Sequence, residues 1–170
     1  DNLCKNLILN LEKKGLNIII LSEYGISNVN TPIHINQILR NNGLICTRNE
    51  NNTEVLDPGE SEAFAVSDHQ IAHIYVKNKH NIKSIKQDLL KELNIYKVLD
   101  KNEQKEYFIN HDRSGDLVLI AKNDAWFTYY YWKKNENAPD FARNVAIHNK
   151  PGYDPVELFF NPNKKCINLR

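Results

Sequence analysis

The sequence predicts an α/β protein: a slice of a parallel-sheet core with an α+β module inserted into it. Three observations carry this. Residues 16–22, LNIIILS, form a continuous apolar, β-branched run of the kind that suits a parallel strand covered on both faces. Helical apolar spacing precedes and follows that run. After Gly43 the texture changes to short strand-like runs around one further helix, the order of an α+β unit.

The first helix is read over 1–14, where Leu3, Leu7, Ile8 and Leu11 recur on one side and Gly15 is a stop. The buried strand takes 16–22. Thr31-Pro32 reads as the start of the next helix, with Thr as N-cap and Pro at the first helical position. Ile35, Ile38 and Leu39 supply its apolar stripe, and Asn42-Gly43 ends it. Strands follow at 44–47, 63–66 and 71–76, then a helix over about 82–93 with Ile82, Ile85, Leu89, Leu90 and Leu93 on one side. Further strands are expected at 95–99, 116–121 and 126–132. Pro139, Pro151, Pro155 and Pro162 make the tail loop-rich. The domain reading is therefore 1–43 as part of an α/β core, 44–135 as an α+β module, and 136–170 as a loop-rich segment returning to the core.

The chain has 170 residues, 41% hydrophobic and 25% charged, the profile of one globular domain with a real core. Its 22 basic and 21 acidic residues leave a net charge of +1, which gives no electrostatic case for nucleic acid or a membrane surface as partner. No apolar run approaches the ~18 residues of a membrane span, and no signal-peptide pattern opens the chain. It begins at Asp1 and contains no Met, which reads as a piece of a longer protein. Cys4, Cys46 and Cys166 are widely spaced and odd in number, without a CxxC pair. Free thiols in a reducing, cytoplasmic setting are the expectation.

Four places carry candidate chemistry. Glu23 and Tyr24 follow the buried run, where α/β proteins place ligands, so Glu23 reads either as a metal ligand or base, or as a helix cap or surface partner. His69 and His73 flank a strand start beside Asp68. On a strand the two would share a face but stand about 13 Å apart at ~3.3 Å per residue, too far for one ion, although either can reach a site made with other segments. The aromatic run 126–132 is either a stacking wall for a base or sugar, or packing between two layers. In the stiff stretch 147–160, His148 and Asp154 are pocket candidates, with Lys150 weaker because its long stem is usually solvated.

Taken in order, IIILSEYGI, SEAFAVSDHQIAHIYV, HDRSGDLVLIAKNDAWFTYYYW and APDFARNVAIHNKPGYDPVELFF resemble the type I phosphodiesterase/nucleotide pyrophosphatase branch of the alkaline phosphatase superfamily. The likeness runs over nearly all of 16–162. It implies an alkaline-phosphatase-like core and a hydrolase of small phosphoric esters that uses two divalent ions, usually zinc, and a transiently phosphorylated Thr or Ser. Residues 44–135 would be the cap over the active site. The family's Asp-His-Gly ligand motif falls on Glu23-Tyr24-Gly25, where Glu23 keeps an oxygen ligand and Tyr24 is a poor substitute for an imidazole on zinc. The family's nucleophile and first metal-binding Asp lie before the region represented, and the chain has neither an Asp-x-x-x-His pair nor a His-Gly. Two functions follow: part of a metal-dependent phosphoric ester hydrolase, or a binding module that kept the fold and lost the metals. On the first, residues 1–170 by themselves are expected to show no turnover of a nitrophenyl phosphodiester with zinc, because metal catalysis needs both a nucleophile and a complete ligand set. A clear zinc-dependent rate from a pure sample contradicts this.

Overall fold

The computed structural model describes residues 1–22, 25–139 and 142. Helix α1 spans Asn2–Glu12, and the Gly15 N–H closes its last turn on the Glu12 carbonyl at 2.9 Å. Gly15 sits at φ +72°, a left-handed conformation that glycine adopts without strain.

Residues 16–22 correct the sequence reading. They form no strand, and Ile19, Ile20 and Leu21 are at least 80% exposed. A parallel strand is held by neighbours on either side and by cover on both faces. No described strand lies alongside this run, so its apolar character has nothing to pair with. Thr31-Pro32 is a second correction. Thr31–Ile33 is strand β1, and helix α2 begins only at Ile35 (Ile35–Asn41) with His34 at its N-cap. Pro32 is tolerated there because, among the described residues, β1 has a single partner strand and can lose one N–H from the ladder. Gly43, at φ +74°, ends α2 as expected.

Beyond α2 the strands expected at 63–66, 71–76, 95–99 and 116–121 are present. The strand expected at 44–47 lies at Cys46–Glu50, and the helix expected to 93 ends at Leu89 and leaves Leu90 and Leu93 exposed. A second hairpin strand and a short helix at Glu103–Glu106 are additions. A hairpin of β2 (Cys46–Glu50) and β3 (Thr53–Asp57) turns through Asn51 and Asn52, both at positive φ. Asn tolerates the left-handed region better than most residues, which favours a tight two-residue turn here. Strands β4 (Ala63–Asp68) and β5 (Ile71–Val76), helix α3 (Ile82–Leu89), strand β6 (Ile95–Asp100), the short helix α4 (Glu103–Glu106) and strand β7 (Leu117–Ala121) follow. The sheet order is β4-β5-β7-β6, antiparallel throughout. Strand β8 (Ala125–Phe127) then pairs in parallel with β1. The expected strand 126–132 therefore stops early: residues 129–132 leave the sheet to pack as a cluster of rings.

One continuous core joins the parallel pair to the antiparallel sheet. Ile33, Ile35 and Leu39 pack in the same cluster as Ala65, Ile74, Leu89, Val98, Leu119 and Phe127. The sheet supplies alternate residues to it: Ala72, Ile74 and Val76 are buried, and Ile71, His73 and Tyr75 face the other way. Among the described residues no helix is long and apolar enough to cross a membrane.

A buried amide fixes α2 on this sheet. Asn36 Nδ2 donates to the Ala65 carbonyl at 2.9 Å, and the Ala65 N–H donates to Asn36 Oδ1 at 2.8 Å. The side chain thus offers the outer edge of β4 the donor and acceptor that a further strand would. Asn36→Ala leaves both backbone groups of Ala65 buried and unpaired, at about 1–3 kcal/mol for each such group. A loss of about 2–4 kcal/mol in urea unfolding is the expected outcome; a change below ~0.5 kcal/mol would mean water replaces the amide freely.

Candidate functional site

β1 and β8 run parallel, so their C-terminal ends lie on the same side. The next residue of each chain segment is His34 and Thr128. The ladder carries on past the strands, with the Thr128 N–H donating to the Ile33 carbonyl at 3.0 Å. This brings His34 Nδ1 and Thr128 Oγ to 2.7 Å. Thr128 is fully buried, and its carbonyl accepts from Ser67 Oγ at 3.0 Å. The imidazole is held on a second side by Tyr130, edge to face, with centroids 4.9 Å apart and planes at 83°.

Three polar residues of α2 and its N-cap, His34, Gln37 and Arg40, recur every three positions and stitch residues 128–132 onto the helix. Gln37 Nε2 donates to the Trp132 carbonyl at 2.5 Å, and Arg40 Nη1 donates to that of Tyr131 at 3.0 Å. Arg40 also forms a two-pronged ion pair with Glu54 of β3, and the Tyr131 hydroxyl donates to the Glu54 carbonyl at 3.1 Å. The Arg40 hydrogen bond is the main reason the Glu54 carboxyl lies below its ordinary range. The rings of Tyr130, Tyr131 and Trp132 contact one another, with the Tyr130–Trp132 centroids 4.8 Å apart. The packing reading of the aromatic run holds here: Trp126, Phe127, Tyr131 and Trp132 are all buried.

Beside His34 a cleft of about 240 Å³ opens between α2 and the turn at 92–94, with Gln37, Asn41, Glu92 and Asn94 on its walls. The sequence reading missed this place. The signal was present as polar residues at 34, 37 and 40 opposite the apolar Ile35 and Leu39, but all three side chains meet partners more than 90 residues away.

The residues singled out from sequence fare differently. Glu23, Tyr24, His148, Lys150 and Asp154 lie outside the described residues. His69 is not on a strand: it occupies the two-residue turn between β4 and β5 at φ +51°, with its backbone carbonyl accepting from the Phe127 N–H at 2.7 Å. His73 is on β5, and its Nδ1 accepts the Gly115 N–H at 3.0 Å, which makes it a structural acceptor for the 108–115 loop. The loop fits tightly at this point: a Cβ on Gly115 would come within 2.7 Å of the Ile74 and Leu117 backbones. Among the described residues no three His, Cys, Asp or Glu side chains converge as metal ligands.

The architecture defines an α/β protein in which two adjacent parallel strands bracket an antiparallel module. The sequence pattern of the type I phosphodiesterase / nucleotide pyrophosphatase family matches residues 1–154, and the chain belongs to that family, a branch of the alkaline phosphatase superfamily. No curated protein sequence matches it. Among solved structures it is similar to phosphonoacetate hydrolase from Sinorhizobium meliloti 1021. In the complex with phosphonoformate the identity is 16% over 71% of this chain, with a TM-score of 0.43. In the complex with phosphonoacetate it is 15% over 76%, with a TM-score of 0.44. The chain spans only 27% and 29% of the length of those two structures.

Burial holds the His34 and His73 imidazoles below the ordinary value of 6.5; at His73, Lys101 adds to this and Asp68 opposes it. With folded-state values depressed, the unfolded chain takes up these protons first as pH falls. Their contribution is whole above pH 6.5 and is lost as pH drops through the folded-state values. Urea unfolding midpoints should decline below that point, and His34→Gln with His73→Gln should flatten the decline. An unchanged slope in the double variant would assign it to other groups.

Proposed function

We propose that this chain is part of a metal-dependent phosphoric ester hydrolase of the phosphodiesterase/nucleotide pyrophosphatase type. In this reading residues 44–135 form the cap, and the stretch around Glu23 contributes to the metal site. The observation that carries it is the family match over residues 1–154, which includes Glu23-Tyr24-Gly25 where the family has its Asp-His-Gly ligands. The parallel pairing of β1 and β8 supports an insertion between these two strands, with β8, although numbered within 44–135, read as the return to the core.

Glu23 fits the role of an oxygen ligand for a divalent ion, zinc by the family likeness. Tyr24 fits the imidazole position poorly, so the ligand set differs from the family's at that place. When bound, such an ion supplies charge stabilisation at the phosphoryl group. His148 and Asp154 are assigned to the pocket between core and cap, and the substrate is a small phosphorylated molecule. No residue of this chain is assigned as nucleophile.

Glu23→Gln in the full-length protein keeps the side chain's shape and removes the charge a divalent ion needs. Metal content by mass spectrometry and turnover of bis-nitrophenyl phosphate should fall on the order of ten- to a hundredfold, the scale seen when metal sites lose supporting groups, with the thermal midpoint unchanged. Metal content near zero already in the wild-type protein would instead favour the non-catalytic binding module, for which Tyr24 is the argument. Full metal content and full activity in the variant would place Glu23 at the surface.

A further inference from the structure

We propose that the cleft beside His34 is a subsite for the hydroxyl-bearing alcohol portion of a phosphoric ester. Its size sets the first limit. A volume of about 240 Å³ equals roughly eight waters at ~30 Å³ each, and it falls below the ~300 Å³ at which pockets begin to take drug-sized ligands. One small ring or polyol arm fits; a whole nucleotide does not.

The walls set the second limit. Gln37, Asn41 and Asn94 carry amides, which both donate and accept, and Glu92 accepts. Among the described residues neither Lys nor Arg lines the cleft, so a phosphate there would meet a carboxylate and no cation from them. A single carboxylate and a single imidazole are too few for a divalent ion. The groups that suit such walls are neutral and both donate and accept, which describes hydroxyls. Ile33 and Ile38 supply apolar surface against which the CH face of a polyol can lie.

His34 gives the cleft a fixed polar contact. Its Nδ1 lies 2.7 Å from the buried Thr128 hydroxyl, in a hydrogen bond whose direction follows the tautomer. Nε2 is the ring nitrogen left to meet a ligand, donor in one tautomer and acceptor in the other, and a hydroxyl serves either. Tyr130 prevents the ring from swinging. The site also lies where the two parallel strands end, the place at which open α/β sheets bind ligands.

Naming the ligand as the alcohol of an ester rests on the proposed hydrolase function; binding of the free alcohol does not. The test therefore uses the full-length protein in EDTA, with ribose, glycerol and myo-inositol as probes in saturation-transfer NMR. At least one of the three should give a saturable millimolar signal. His34→Ala should weaken it about tenfold, the worth of one lost hydrogen bond, with the circular dichroism spectrum retained. Should that variant fail to fold, Asn41→Leu, at an exposed position, should weaken the same signal. No saturable signal from any probe, or equal signals in wild type and variants, overturns the subsite. Polyol binding in a protein that hydrolyses no phosphodiester when supplied with zinc keeps the subsite and removes the hydrolase; hydrolysis without polyol binding does the reverse.

Discussion

The Asn36 amide is the contact on which the relation between the two parts depends. Without it, α2 and β4 would meet only through apolar contacts, which do not specify register. Two hydrogen bonds to the backbone of one residue permit a single position. The β1–β8 register then brings His34, one residue before α2, to Thr128. The same amide also closes the outer edge of β4, which would otherwise present unpaired backbone groups.

Outward from that lock, polar side chains do the fastening and apolar ones fill the space. Arg40 joins α2, β3 and the 128–132 segment in one network, so the β2–β3 hairpin is tied to the parallel pair and not only to its own turn. Gln70 plays a comparable part at the opposite end, with its amide donating to the carbonyls of Lys122, Asn123 and Ala125 across the turn that leads into β8. These contacts link residues far apart in sequence. Each closes a long loop of chain, which costs entropy that local contacts do not.

That distance explains what could be read in advance. The mixed α/β class, the strands β4, β5, β6 and β7 and helix α3 were legible because each carries its own periodicity, such as the alternation of Ala72, Ile74 and Val76 against His73 and Tyr75. The start of α2 was not. Thr-Pro is a good helix opening in isolation, but pairing with Ala125–Phe127 claimed the same residues for a strand. The aromatic run misled in the same way: β-propensity describes 126–132 well, yet the rings gained more by stacking on each other and on His34 than by extending the ladder. The His34 cleft was not legible because its walls come from two segments, 32–41 and 92–94, about 50 residues apart. The family likeness, in contrast, was readable from the order of four stretches, and the match over residues 1–154 agrees with it.

The run at 16–22 has a material consequence. Four consecutive aliphatic residues, Ile18 to Leu21, lie in an uncharged stretch without proline, and the last three are almost wholly in solvent. Segments of this composition stack readily into dry, in-register sheets between molecules, because each copy offers the next a full set of backbone partners. Wherever nothing else covers it, this stretch is an adhesive strip. The concentration at which the protein stays clear in solution is then set by those few residues rather than by its well-packed core.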